Sequence, residues 1–155
     1  HLALVKAVDF DADCIDLLYL RIKKGDLKNT IVPIVADLMN PSPSMGWHLS
    51  ERKDLITRLQ SNAFLALALI HHLCVAKNVP ISYFVEFLGT IAPEGVVEWV
   101  SIEDPMVQVL LKNRRNIFHD YTWENFSIEL SKCFNIQKVF SFNNSTRKLC
   151  WVRRK

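Results

Sequence analysis

From Asn62 to Ile70 the chain reads NAFLALALI, with no polar side chain after the first position. The run is far short of the roughly 20 apolar residues of a membrane span, yet too apolar for a surface segment. It predicts a strand over 62–70, buried on both sides, in the middle of a sheet. Alanine and leucine favour a buried helix just as well, so the neighbours have to decide. The helical stretch PISYFVEFLGTIA (80–92) needs something to pack on, and VVEWVSI (96–102) reads as a further strand. Strand is the reading adopted.

The rest of the chain alternates in the same way. LALVKAVDF (2–10) reads as a strand and 12–24 as a helix, with Ile15, Leu18, Tyr19 and Ile22 on one face. Asp11 or Asp13 suits its N-terminus and Gly25 its end. TIVPIVADL (30–38) is a second strand, NPSPSMGW (40–47) a loop, and 50–60 a helix capped by Ser50. Helices follow near 105–115 and 122–133. IQKVFSF (136–142) and KLCWVRR (148–154) are joined only by the polar turn NNSTR, so they should pair as an antiparallel hairpin at one edge. Strand–helix alternation implies an α/β, three-layer, doubly wound sandwich with a mostly parallel sheet. With 155 residues, half of them apolar, the expectation is one domain spanning 1–155.

Charge and cysteine usage exclude more than they suggest. A net charge of +3 does not argue for nucleic acid, and the basic runs KNRR (112–115) and RKLCWVRRK (147–155) read as solvated surface. Cys14, Cys74, Cys133 and Cys150 have neither CxxC nor zinc-finger spacing, and are expected to be buried small hydrophobes of a reducing compartment. The N-x-S/T matches at Asn125, Asn143 and Asn144 carry no weight without a secretory leader. No leader and no membrane span is visible, and the cytoplasm is the expected compartment.

In open α/β sheets ligands sit beyond the carboxyl ends of the strands. There the first strand ends in Asp9 and Phe10, the second in Asp37 and Leu38, and the long apolar run in His71 and His72. Asp9 is placed to accept hydrogen bonds from a ribose, as acids do in dinucleotide folds. Each residue also has a plain structural reading: aspartates form caps and turns, and one of two adjacent histidines is often buried. Asp9, Asp11 and Asp13 mimic the opening of a calcium loop, but Cys14 and Leu20 stand where glycine and the bidentate glutamate belong. No P-loop, Gly-x-Ser-x-Gly elbow or HExxH occurs, and the four glycines (25, 46, 89 and 95) are too far apart to cradle a phosphate.

The order VKAVDFD (5–11), IVADL (34–38), LALALIHHL (65–73) and the closing strand pair resembles the successive motifs of class I S-adenosylmethionine-dependent methyltransferases after their first. PIVADLMNPSPSMGW (33–47), EWVSIEDPMVQVLL (98–111) and RRNIFHDYTWENF (114–126) are similar to a bacterial subfamily of uncharacterised methyltransferases related to nodulation proteins. The resemblance implies that Asp9 and Phe10 hold the ribose of S-adenosylmethionine and that Asp37 and Leu38 lie near its adenine. It implies that His71 and His72 face the methyl donor and the acceptor; since histidine titrates near neutrality, one of them is the candidate base, His71 ahead of His72. It implies a fold whose first strand and glycine-rich loop would precede His1. That strand would lie between 2–10 and 62–70, so a second copy or another partner is expected to complete the sheet. The Asn-Pro-Pro-Tyr motif of base N-methylases is absent, which argues against an N-methylase of nucleic acid; the family resemblance itself implies an oxygen on a small molecule or glycan as acceptor. A non-catalytic interaction module of the same fold and a fragment of a dehydrogenase are the alternatives, the second disfavoured by the antiparallel closing hairpin.

Overall fold

The computed structural model describes residues 4–25, 30–112, 118–143 and 145–155. They form two compact units, one up to Leu59 and one from Gln60 onward. Among the described residues no helix is long and apolar enough to cross a membrane.

In the first unit, β1 (Val5–Asp9) and β2 (Ile31–Val35) pair in parallel, Val5 opposite Ile31 and Asp9 opposite Val35. The crossover helix α1 (Ala12–Lys24) joins them. Asp11 caps it as its position suggests, accepting from the amides of Asp13 at 2.9 Å and Cys14 at 3.2 Å, and Gly25 closes it on Arg21 and Ile22. Ile15 and Ile22 are buried, but Tyr19 is half exposed. Residues 2 and 3 of the first expected strand lie outside the described residues.

The helix expected over 50–60 is a single short turn, α2 (Leu55–Leu59). Its cap is Asp54, not Ser50: the carboxylate accepts from the amide and the hydroxyl of Thr57, at 2.8 and 2.6 Å. Ser50 instead closes a 3-10 turn at Trp47–Leu49. Gly46, at φ 84°, reverses the chain so that Met45 pairs with Arg52, a conformation that favours glycine.

The second unit is a four-stranded sheet in the order β3 (Ala63–Ala66), β4 (Glu94–Val100), β6 (Arg147–Arg154), β5 (Phe134–Ser141). β3 and β4 are parallel, while β6 is antiparallel to both β4 and β5. The expected hairpin is therefore present, but its second strand lies inside the sheet and only β5 is at the edge. α3 (Ile81–Ile91) and α5 (Trp123–Cys133) pack together over one face. Phe64, Val97, Trp99 and Val152 are buried on the strands, and Phe84, Leu88, Phe126 and Leu130 on the helices. α4 (Pro105–Leu111) starts at the buried cap Asp104; the expected continuation over 113–115 lies outside the described residues.

The run 62–70 departs from expectation in two ways. The strand stops at Ala66, and it is not covered on both sides: Phe64 and Ala66 are buried while Leu65 is 75% exposed. Ala68, at φ 50°, turns the chain, and the rest of the run enters a helical turn that continues as a π-helix at His72–Ala76. Both conformations that alanine and leucine permit are thus used in succession. Within its own sheet each of β1 and β3 is an edge strand.

Packing of Phe64 fixes the identity of its neighbour on β4. A Cβ on Gly95 would lie 2.5 Å from both the Phe64 ring and the Phe64 carbonyl oxygen, closer than atoms can approach. Gly95→Ala should therefore destabilise the second unit by about 1–3 kcal/mol, the usual range for overpacking. Urea titration checks this, and Phe64→Leu should recover part of the loss by opening space.

Candidate functional site

Each unit presents a polar rim at the carboxyl ends of its parallel strands. In the first, Asp9 ends β1, and its carbonyl accepts from the amide of Ala36 at 2.9 Å, so the exit of β2 lies alongside. Asp9, Phe10, Asp37 and Leu38 are thereby gathered at one rim. Both carboxylates are exposed, and each is oriented by an amide two residues on: Asp9 by Asp11 at 2.9 Å, Asp37 by Met39 at 2.8 Å. Phe10 is 75% exposed. The caps and turns of the plain reading are therefore real, and they also fix where the carboxylates point. Among the described residues no three His, Cys, Asp or Glu side chains are grouped so as to hold a metal ion.

In the second unit the rim is the exit of β3 beside β4. His71 and His72 begin the helical turn there, their rings 4.2 Å apart, and only His72 is exposed. His71 is sealed at 2% exposure, and its Nδ1 is buried without a hydrogen-bond partner among the described residues. Burial, then the neighbouring His72 and Arg147, lowers its pKa to about 4. It is neutral at physiological pH and a poor proton acceptor there. The π-helix packs against α4 and ends at Ala76, with Asn78 just beyond it at φ 59°; such wide turns are rare and often lie at functional sites.

The residues that organise this rim were not among those expected from the sequence. Asp104 is buried and accepts from Arg147 through Nε at 2.8 Å and Nη2 at 3.2 Å, from the Thr146 hydroxyl at 3.0 Å and from the Met106 amide at 3.0 Å. These bonds, that from Arg147 foremost, lower its pKa to about 2. Arg147 also reaches Glu98 at 3.5 Å, and Glu98 accepts from the Ala68 amide at 2.5 Å. The left-handed Ala68 costs about 1–2 kcal/mol, so the Glu98 contact helps to maintain an unfavourable turn. A sequence signal existed: Glu98 is a lone charge inside the apolar strand VVEWV, and Asp-Pro is a helix start. The basic run 147–155 is more engaged than the solvated reading implies, since Arg153 pairs with Glu94 at 2.9 Å. Cys74 and Cys150 are buried as expected, their thiols pushed up to about 12 and about 11 by desolvation, but Cys14 is exposed.

No protein-family model matches the chain. It is similar to a nodulation protein. Over 141 residues it is 39% identical to the nodulation protein NoeA of Rhizobium meliloti (strain 1021), an alignment that takes in 91% of this chain and 29% of the relative. The chain thus spans less than a third of the length of that NoeA relative.

Proposed function

We propose that this chain forms part of a class I S-adenosylmethionine-dependent methyltransferase domain, acting on an oxygen of a small molecule or glycan in a nodulation-related role. The observation that carries the reading is the sheet of the second unit, a parallel pair followed by an antiparallel closing hairpin, as the methyltransferase resemblance implies. The similarity to NoeA supports the nodulation context. At the first rim, the oriented carboxylate of Asp9 suits ribose hydroxyls, the exposed Phe10 ring suits a nucleoside face, and Asp37 and Leu38 would flank adenine. The described residues fit the nucleoside part of the cofactor, whereas they hold no glycine-rich segment for its methionine end. When bound, the cofactor supplies an electrophilic methyl group, and the protein's task is alignment with the acceptor. His71, sealed and neutral, is ill placed to take a proton; His72, exposed beside it, is the better candidate.

Calorimetry tests the reading. The 155-residue chain should bind S-adenosylmethionine no more tightly than millimolar. In a longer polypeptide that binds it, Asp9→Ala should weaken binding by about 1–3 kcal/mol, the scale for hydrogen bonds to a charged group. Asp11→Ala should affect the α1 cap and leave affinity nearly unchanged. Equal losses at the two positions, or no binding by the longer polypeptide, would remove the cofactor assignment. A non-catalytic interaction module of the same fold is the second reading, favoured by one observation: Leu65, Phe140 and Trp151 are exposed on the second unit's sheet.

A further inference from the structure

The exit of β3 combines three features that need a common cause: a left-handed alanine, a π-helical turn, and a buried histidine nitrogen with no hydrogen-bond partner among the described residues. One side chain connects them. Glu98 stands on β4 beside this exit, and its carboxylate accepts from the Ala68 amide. Arg147 reaches Glu98 at 3.5 Å and is itself held by Asp104 in a two-point contact. From Ala68 the backbone turns so that the Leu69 carbonyl accepts from the amides of His72 and Leu73, which starts the helical turn. That turn carries His71 inward and leaves His72 outward.

We propose that Glu98 is a positioning residue: anchored through Arg147 to Asp104, it clamps the Ala68 turn and thereby decides which of the two histidines the rim presents. In the clamped state His72 is offered and His71 is withheld. Released, the turn relaxes from its left-handed conformation and His71 gains water or a ligand for its Nδ1. That the offered histidine serves methyl transfer rests on the proposed function; the clamp does not, and its test involves no cofactor.

The charged groups acting on His71 give that test its sign. His72 and Arg147 disfavour its protonation, while Asp104 and Glu98 favour it. Loss of the Glu98 charge alone must therefore lower the His71 pKa further. Only opening of the turn, by hydrating the ring, can raise it. Glu98→Gln keeps an acceptor at the same reach and loses the charge, whereas Glu98→Asp keeps the charge and loses the reach.

Histidine NMR titrations, assigned with His71→Gln and His72→Gln, are paired with amide exchange at Ala68 and diethyl pyrocarbonate labelling. In the unaltered protein and in Glu98→Gln, His71 should titrate no higher than about pH 4 and resist labelling. In Glu98→Asp it should titrate near pH 6.5, become labelled, and be accompanied by at least tenfold faster exchange at Ala68. Unchanged titration and exchange in Glu98→Asp, or opening in Glu98→Gln alone, overturns the clamp. Should Glu98→Asp fail to fold, Arg147→Lys, which loses the two-point anchor and keeps the charge, must show the same opening in partial form; a fully closed turn there overturns the proposal equally.

Discussion

Asp104→Ala is expected to lower the stability of the second unit by about 3–5 kcal/mol, the cost of breaking a buried ion pair from one side. The substitution removes three supports together. It uncaps α4 at Met106, leaves the Thr146 hydroxyl without its acceptor, and leaves the partly exposed Arg147 guanidinium with only its longer contact to Glu98. Asp104→Asn can still cap the helix and should cost about 1–2 kcal/mol. Guanidinium titrations with an unchanged slope check both values; a loss under about 1 kcal/mol for alanine would show that the hub does not hold the rim. The folded pKa of Asp104 is depressed to about 2, so its contribution is complete above its ordinary value near 3.8 and disappears as pH falls towards 2.

His71 acts in a higher pH window but with the same sign: the folded state disfavours its protonated form as well. Its folded pKa lies near 4, below the ordinary 6.5. Above pH 6.5 it is neutral whether the protein is folded or not, and it contributes no pH dependence. Between 6.5 and 4 the unfolded chain takes up a proton that the folded chain refuses, so stability should fall by about 3 kcal/mol across that interval and level off below it. His71→Phe removes both the titrating group and a buried nitrogen without a partner. The variant should lose that slope and be the more stable of the two at about pH 5. An identical slope in the variant would place the acid sensitivity elsewhere.

The elements that sequence reasoning located well are those whose signals are local. Asp11 and Gly25 bracket α1, Thr122 caps α5 through the Asn125 amide, and the polar turn after residue 142 sets the hairpin. Ser50 misled because a cap is defined by the donors beyond it: Thr57, three residues after Asp54, supplies the two that make Asp54 the cap. The run 62–70 was ambiguous because alanine and leucine suit strand and helix alike, and the switch at Ala68 is imposed by Glu98, 30 residues away. The polar hub was hidden for the same reason. Arg147 lies 43 residues from Asp104 and 49 from Glu98, and no periodicity reports a pairing over that distance. Asp9 was legible as the end of β1, whereas His71 and His72 stand in a helical turn beyond a strand that already stops at Ala66. Which histidine faces outward was not legible, since that depends on one backbone torsion.

The place of β6 has a consequence for how the chain comes to be folded. β6 follows β5 in sequence yet is an inner strand of its sheet, paired along its length with β4 on one side and β5 on the other. Its partners on β4 lie from 47 residues away (Val100 to Arg147) to 59 (Glu94 to Arg153). During synthesis β5 can wait only for its hairpin mate, but β4 has no neighbour on that side until Arg154 has emerged. Until then a β3–β4 pair displays an open, apolar edge of the kind that recruits other chains. Long-range closure of this sort is slow, so the nascent unit passes through an interval in which chaperone capture and aggregation compete with the arrival of eight residues.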